Sequence, residues 1–360
     1  MNETGVFQIL VINPGSTSTR VALYDDEDER IYEEIRHKAD DLAGFRHIAD
    51  QYEFRVSHVR GVLESRRIQT AALHAVVGRG GLLKPVQGGT YRVGPAMIAD
   101  LKEARHGQHA SNLGALIAFE MARPLTIPAF VVDPVVVDEM DPVARPSGMP
   151  GIERRSIFHA LNQKAAAREA AGEMGKPYNA VRLIVAHLGG GISVGAHVNG
   201  RVIDVNNALN GDGPFAPERA GGLPAGQLAD LCFSGQYTRD GIHRRLAGKA
   251  GLVAYLGTND VREVKDRISK GDSLAENLYE AMAYQVAKEI GSMAAVLQGR
   301  VDGIVITGGL AHDDDFVKRI RSRTGWIAPC IMKAGEMEMA ALARGALRVL
   351  RKEETAREYE

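Results

Sequence analysis

The sequence predicts an α/β protein built from two domains. Short apolar segments of strand length alternate along the chain with longer amphipathic segments, a mixture that is typical of α/β folds. The chain has 360 residues, which is more than one ordinary hydrophobic core holds. Two stretches, beginning at Gln8 and at Leu183, show the same order of three short strands with an unusual first turn. We therefore expect two copies of one domain type, at residues 1–152 and 153–337.

The strands are predicted from apolar runs that are too short for helices. In chain order they are Gln8–Ile12, Val21–Tyr24, Ile31–Ile35, Ala75–Val77, Ala129–Val132, Leu183–His187, Ser193–Val198, Arg201–Val205 and Gly303–Thr307. In the second unit the Asn199-Gly200 pair is one of the strongest short hairpin signals, because both residues adopt positive φ easily. Each unit is therefore expected to be a three-stranded meander.

The helices are predicted from the longer amphipathic segments. In chain order they are Gly44–Glu53, Met97–Arg105, Asn112–Arg123, Ser156–Met174, Gln227–Phe233, Val261–Ser269, Ser273–Gln298, Asp315–Arg323 and Glu336–Lys352. The last helix, at about 338–360, is expected to return to the first domain. The Pro- and Gly-rich stretch around Met149–Ile152 is the expected domain boundary.

Composition excludes several classes of function. The formal net charge is -1, which gives no electrostatic case for binding nucleic acid or an anionic membrane surface. No apolar stretch reaches the roughly 20 residues that a membrane span needs, and no secretory signal pattern opens the sequence. Cys232 and Cys330 are isolated and are interpreted as buried small apolar side chains in a protein of the reducing cytoplasm.

Three polar, glycine-containing turns carry the chemistry. "NPGSTSTR" at residues 13–20 and "HLGGGIS" at 187–193 each join two predicted strands, and "VITGGLAHDDD" at 305–315 leads into a helix. Such turns let backbone N–H groups approach phosphate oxygens closely, although a plain polar hairpin turn explains the first as well. The Walker pattern is absent. The three turns together favour a nucleotide in an interdomain cleft. Asp313–Asp315 is interpreted as a helix cap rather than a metal cluster.

The motifs resemble those of the acetokinase family and, within it, the butyrate kinases. They are "INPGSTSTR", "PVQGGTYRVG", "SGMPGIERRSIFHALNQK", "HLGGGISVGAHVNG", "NGDGPFAPERAGGLP" and "ITGGLAHD", and they span nearly the whole chain. The resemblance implies the two-domain actin-like, ribonuclease H-like ATPase fold with an interdomain nucleotide cleft. Acetate kinases differ in having a longer arginine motif where this chain has "VVGRGGLLKPVQGG".

The resemblance also implies site residues, matched motif by motif. Those expected to act on the transferring phosphoryl group are Arg79, Asp133, His159 and Arg219. Those expected to bind ATP or ADP are Ser16, Ser18, Arg20, His187, Leu188, Gly189, Gly190, Gly191, Asp260, Arg262, Gly308, Gly309, Leu310, Ala311 and Asp313. Those expected to place Mg²⁺ are Asn13 and Glu336. Taken singly, each has an ordinary structural explanation; their joint match to one family's motif order favours the site.

The implied reaction is butanoate + ATP ⇌ butanoyl phosphate + ADP, with Mg²⁺. A carboxylate nucleophile is already ionised near neutral pH, so Asp133 is expected to orient rather than to accept a proton. An acetate, propionate or branched-chain fatty acid kinase is the alternative enzyme, and a non-catalytic nucleotide-binding relative is the alternative of a different class. The expected partners are a small carboxylate, its acyl phosphate and a second copy of the chain in at least a dimer. Nucleic acid and membranes are not expected partners.

Overall fold

The computed structural model describes residues 5–360, which divide into two compact units. The first unit runs up to Val137 and resumes at Met337–Glu360, whereas the second is Asp138–Glu336. The division thus falls between Val137 and Asp138, before the stretch at 149–152 that the sequence suggested. The C-terminal segment is part of the first unit.

Eleven strands form two sheets within residues 5–360. They are β1 (Gln8–Pro14), β2 (Ser18–Asp25), β3 (Asp28–Arg36), β4 (Ala75–Arg79), β5 (Thr90–Arg92), β6 (Ala129–Val132), β7 (Arg182–Leu188), β8 (Ile192–Val198), β9 (Arg201–Val205), β10 (Gly303–Gly308) and β11 (Cys330–Ala334).

The same part of the chain contains twelve α-helices. They are α1 (Ala39–Ala43), α2 (Tyr52–Ser65), α3 (Pro95–Lys102), α4 (Asn112–Ala122), α5 (Ala160–Glu173), α6 (Ala225–Phe233), α7 (Arg239–Leu246), α8 (Gly251–Leu256), α9 (Val261–Ser269), α10 (Ser273–Val296), α11 (Asp314–Thr324) and α12 (Glu338–Leu350).

The two sheets repeat one topology. The first has the order β3-β2-β1-β4-β6-β5, and the second has the order β11-β10-β7-β8-β9. In each, the opening three strands form an antiparallel meander, and the first of these also pairs in parallel with the next strand, β4 or β10. The prediction of two related meanders is therefore confirmed.

Burial explains why β1 and β7, the first strand of each meander, could be predicted from the sequence. Ile9–Ile12 in β1 and Leu183–Ala186 in β7 are fully buried, as expected for central strands covered on both faces. In the first unit α4 and α12 both contact β1, β4 and β6. In the second unit α5 and α10 both contact β7. Each sheet is thus packed between helices, and its turns emerge at the strand ends.

Several expected elements differ from the observed ones. The helix predicted at Gly44–Glu53 is wrong, because the principal helix here is α2 at Tyr52–Ser65. β5 and β11 were not predicted; β5 has only three residues, and β11 is an edge strand with no buried residue. Cys232 is exposed, because α6 buries none of its residues. Across residues 5–360, no helix combines the length and the apolar character needed to cross a membrane.

Candidate active site

The first unit presents the turn Gly15–Ser18 at the end of the β1–β2 hairpin. Pro14 and Thr19 are the last pair of the ladder, and the Gly15 N–H donates to the Ser18 carbonyl at 2.8 Å. The side chains of Ser16 and Thr17 are exposed at the tip. The hydroxyl-rich part of the motif therefore faces solvent rather than the core.

Arg55 lies directly beneath this turn and is fully buried. Its Nη1 donates to the carbonyls of Gly15 and Ser18, both at 2.8 Å, and its Nη2 donates to the Ser16 carbonyl at 3.1 Å. A planar guanidinium suits this arrangement because its donors point in fixed, divergent directions. The inner side of the turn is thus held by one side chain from α2.

The remaining carbonyl of the turn is also engaged, and this leaves the N–H groups facing outward. The Thr17 carbonyl accepts from the His37 N–H at 2.9 Å. Within residues 5–360, the backbone N–H groups of Ser16 and Thr17 have no hydrogen-bond partner. Outward N–H groups in a tight turn form an anion-binding concavity. This geometry favours a phosphate cradle over a plain polar turn.

Arg55 brings a positive charge with no carboxylate beside it in the described part of the chain. Its other partners are neutral: Gln51 Oε1 at 2.8 Å and Thr19 Oγ1 at 3.0 Å. Burial lowers the pKa of the Arg55 guanidinium to about 10, so it stays protonated at neutral pH. An anion on the turn would supply the missing counter-charge.

Glu338 gathers three of the predicted residues into one cluster. It is the first residue of α12 and is only 6% exposed. Its Oε2 accepts from Asn13 Nδ2 at 2.7 Å, and its Oε1 pairs with Arg79 Nη1 at 2.5 Å. Arg20 Nη1 lies 3.7 Å from Glu338 Oε2. The cluster therefore joins an amide and two cations around one carboxylate.

Glu336, the residue expected to place the metal, is exposed and closes the second unit. Two residues later, Glu338 is the carboxylate that contacts the buried Asn13. Sequence reasoning missed Glu338, and the only signal for it was the second glutamate of "AGEMEM". Because Glu338 is buried beside Asn13, it suits the metal-placing role better than Glu336 does.

Arg79 is positioned by a close approach between β4 and α4. An ideal Cβ on Gly78 would lie 2.1 Å from the Gly114 carbonyl oxygen, and one on Gly114 would lie 2.3 Å from the Arg79 carbonyl oxygen. Only glycine permits this backbone contact. The paired glycines fix the end of β4 against the helix, and Arg79 follows immediately.

Asp133 follows β6, which is the parallel neighbour of β4. It is 2% exposed and has φ +38°, a region that Asp tolerates better than most residues. Its Oδ1 accepts from the Gly89 N–H at 2.7 Å, and its own N–H donates to the Gly89 carbonyl at 3.0 Å. Since Val132 pairs with Arg79, Asp133 and Arg79 emerge at the same sheet edge.

In the second unit, two predicted histidines stack on each other. The rings of His159 and His187 have centroids 4.0 Å apart and an interplanar angle of 22°. His187 is the last residue but one of β7 and is buried, whereas His159 precedes α5 and is half-buried. His159 Nδ1 lies 2.8 Å from Ser193 Oγ. The half-buried His159 is the member of the pair that can reach a ligand.

The glycine turn after His187 packs against the segment that carries Arg219. The Glu218 N–H donates to the Gly190 carbonyl at 3.1 Å. A Cβ on Gly191 would lie 3.5 Å from Arg219 Nε, and that nitrogen is buried. The structure thus brings the "HLGGGIS" and "PERAGG" motifs together.

The third turn begins at Gly308, where glycine is required. Its φ is +91°, and an ideal Cβ would lie 2.3 Å from the Leu188 carbonyl oxygen, so this turn also lies against the end of β7. Gly309 has open space around it, with no atom within 4 Å of an ideal Cβ. Of the next two predicted residues, Leu310 is half-buried and Ala311 is buried.

The predicted acidic residues near this turn already have cationic partners. Asp260 forms a two-point ion pair with Arg262, which is 92% exposed. Asp313 accepts from Lys265 Nζ at 2.7 Å and from Tyr279 at 2.8 Å, and it caps α11. These contacts support the interpretation of Asp313 as a helix cap. Nucleotide contacts by Asp260, Arg262 and Asp313 stay predictions.

Residues 150–324 match the model of the "Acetokinase family". The chain is also similar to three solved structures: acetate kinase from Porphyromonas gingivalis (20% identity, TM-score 0.80, 96% of this chain and 100% of that one), propionate kinase from Francisella tularensis (20%, 0.73, 94% and 98%) and acetate kinase from Entamoeba histolytica (17%, 0.72, 94% and 98%).

These likenesses show the fold. The prediction of an actin-like, ribonuclease H-like architecture is therefore confirmed.

The residues present fit a magnesium ion that arrives with a nucleotide. Within residues 5–360, no three His, Cys, Asp or Glu side chains cluster as a dedicated metal cage. Mg²⁺ is usually held by one or two carboxylates, with waters and substrate phosphates completing its shell. The buried Glu338 carboxylate beside Asn13 provides this kind of donor set.

Proposed function

We propose that the protein is a Mg²⁺-dependent carboxylate kinase that transfers a phosphoryl group reversibly between ATP and a short-chain fatty acid, with butanoate as the preferred acid. The observation that carries the proposal is the contact of Glu338 with Asn13 and Arg79, next to the turn with outward N–H groups. The match of residues 150–324 to the acetokinase-family model supports the same chemistry.

The proposed roles follow from where charge develops. Phosphoryl transfer is mostly positioning and charge stabilisation, since negative charge spreads over three equatorial oxygens. The N–H groups of Ser16 and Thr17, with Arg20, hold terminal phosphate oxygens. Arg79 and Arg219 neutralise the transferring group. The acid is ionised near neutral pH, so the site needs no general base.

Glu338 and Asn13 would hold the magnesium ion or its water ligands. When bound, Mg²⁺ neutralises phosphate charge as transfer proceeds. In its absence Glu338 balances the charge of Arg79 and keeps Arg20 near the turn. Asp133, fastened to Gly89 at both its backbone and its side chain, acts as an orienting group.

Acetate or propionate as the main substrate is the second candidate. Two of the similar solved structures are acetate kinases and one is a propionate kinase. The butyrate-kinase pattern of the motifs favours the longer acid.

The test is ADP formation from ATP with and without acid, using acetate, propanoate, butanoate, isobutanoate and pentanoate. We expect acid-dependent turnover with kcat/KM highest for butanoate. Because one methylene in an apolar pocket is worth about 1–3 kcal/mol, acetate should be at least roughly 10-fold poorer. Arg79→Ala is the control for contaminating activity and should abolish most of the signal. A maximum at acetate would favour the second candidate, and acid-independent ADP release would contradict a carboxylate kinase.

The turn and the "ITGGLAHD" loop should differ in the part of the nucleotide that they affect. We expect Ser16→Ala and Arg20→Ala to weaken ATP binding much more than adenosine binding, because hydrogen bonds to charged groups contribute about 1.5–3 kcal/mol. Gly309→Val, which adds bulk in open space, should weaken both alike. Isothermal titration of ATP, ADP, AMP and adenosine measures this. If the turn variants weaken the binding of all four ligands equally, the turn does not bind phosphate specifically.

A further inference from the structure

A chain of buried polar side chains runs from His159 into the interior of the second unit. His159 Nδ1 lies 2.8 Å from Ser193 Oγ, and Ser193 Oγ lies 2.8 Å from Gln163 Nε2. Gln163 Oε1 lies 3.0 Å from His197 Nε2, and His197 Nδ1 lies 2.8 Å from the Tyr178 hydroxyl. Ser193, Gln163 and His197 are fully buried. Their hydrogen bonds therefore have no water to exchange with.

One backbone carbonyl fixes which group donates and which accepts along this whole series of hydrogen bonds. Gln163 Nε2 lies 2.9 Å from the Ser193 carbonyl oxygen, which can only accept. The Gln163 amide must therefore present its NH₂ to Ser193 and its Oε1 to His197. Gly195 leaves the room for this, since a Cβ there would lie 2.7 Å from Gln163 Oε1.

The state of His197 agrees with this direction. Because Gln163 Oε1 can only accept, His197 must carry its proton on Nε2, and its Nδ1 must accept from Tyr178. Burial, reinforced by the charges of Lys164 and Arg168, lowers the pKa of His197 well below its usual range. His197 is therefore the neutral Nε2–H tautomer.

The tautomer of His159 follows from its hydrogen bond with Ser193. Ser193 Oγ accepts from Gln163 Nε2, so the hydroxyl proton of Ser193 points to its other close partner, His159 Nδ1. In the neutral ring, His159 Nδ1 is thus the acceptor and Nε2 carries the proton. Ser193 Oγ also accepts from the His159 backbone N–H at 3.4 Å. The opposite tautomer would therefore place a third donor on Ser193 Oγ and leave a buried hydroxyl proton without an acceptor, which is costly.

We propose that Ser193 and Gln163 are positioning residues that lock neutral His159 as the Nε2–H tautomer, so that it offers the transferring phosphoryl group a hydrogen-bond donor rather than a base. The inference rests on the proposed function for the identity of the ligand. The tautomer itself follows from the hydrogen bonds alone and does not depend on the proposed function. A site built this way stabilises the developing charge and leaves the already ionised acid to attack.

The test measures the tautomer of His159 by NMR in ¹⁵N-labelled protein and measures turnover separately. Imidazole ¹⁵N–¹H correlation spectra are taken about two pH units above the usual histidine pKa, and the His159 signals are assigned by their loss in His159→Gln. Wild type should show Nε2–H. Ser193→Ala should release the lock and give a mixture. Gln163→Glu should turn the Ser193 hydroxyl toward the carboxylate and invert His159 to Nδ1–H.

Turnover should follow the tautomer. We expect Gln163→Glu to lower kcat roughly 10²-fold, the scale of losing one transition-state donor, while KM for ATP changes little. Tyr178→Phe is the matched control, because it removes the far donor and leaves the Ser193 carbonyl in place. It should keep the Nε2–H signal and near-normal kcat.

An Nδ1–H or doubly protonated His159 in wild type would overturn the proposal. So would an inverted tautomer with unchanged kcat, or an unchanged tautomer in both folded variants, Ser193→Ala and Gln163→Glu. If wild type shows no acid-dependent turnover, the proposed function fails, while the spectra still decide the tautomer.

Discussion

Replacing Glu338 with glutamine should lower kcat by roughly 10²-fold or more and raise the Mg²⁺ concentration that half-saturates the rate. The substitution keeps the size of the side chain but removes its charge and one of its two acceptor oxygens, which in wild type face Arg79 and Asn13. The remaining oxygen can accept from only one of these two donors, and the new NH₂ group would face the other donor. Losing one preorganised charge contact at a phosphoryl-transfer site is worth about 10²–10³ in kcat.

Glu336→Gln is the matched control for this experiment. It lies two residues earlier, is exposed, and makes the same chemical change. We expect near-wild-type kcat and an unchanged Mg²⁺ titration curve. Metal-free ATP binding, measured by isothermal titration, should stay close to wild type in both variants. A large effect of Glu336→Gln with a small effect of Glu338→Gln would return the metal role to the residue that the sequence suggested.

The meanders could be predicted because their leading strands are buried on both faces. Ile9–Ile12 and Leu183–Ala186 read as continuous apolar runs, and the Asn199-Gly200 turn marks one hairpin directly. β11 could not be found in this way. It lies at a sheet edge with only partly covered side chains, so its sequence lacks a clear apolar period.

Within the candidate site, residues near strand ends and in turns could be predicted. Contacts that depend on the residue at which a helix begins could not. Asn13 and Arg79 lie just beyond the ends of the predicted strands Gln8–Ile12 and Ala75–Val77. The choice between Glu336 and Glu338 depends on where α12 begins, and element boundaries are the least certain part of any sequence-based assignment. The fixed direction of the Ser193–Gln163 network depends on side-chain orientation, which no spacing rule supplies.

Arg55 could not be predicted because nothing local marks it. It follows Gly15 by 40 residues, in a helix whose sequence shows no strong apolar stripe. Arginine is almost never fully buried unless it is paired. Here its partners are backbone carbonyls of a distant turn, so only the fold reveals its role.

Arg55→Met should lower the free energy of unfolding by about 3–5 kcal/mol, the cost typical of breaking a buried charged network. The carbonyls of Gly15, Ser16 and Ser18 would each lose a donor. ATP binding should weaken more than adenosine binding, because the cation beneath the anion-binding turn is gone. Denaturant unfolding and isothermal titration measure the two effects.

Two further variants separate charge from geometry. Arg55→Lys keeps the charge but cannot span three carbonyls with a planar fork, so it should recover much of the ATP affinity and only part of the stability. Arg60→Met, five residues further along α2, is the control. Arg60 is more than half exposed and pairs with Glu120 at 3.3 Å, so its loss should cost less than about 1 kcal/mol.

If Arg55→Met weakens adenosine binding as much as ATP binding, Arg55 stabilises the hairpin without shaping an anion site. If Arg55→Met matches Arg60→Met in stability, the carbonyl contacts contribute nothing. The expected result couples the two measurements, since the buried guanidinium that holds the turn's carbonyls inward also keeps the N–H groups of Ser16 and Thr17 directed toward the phosphate.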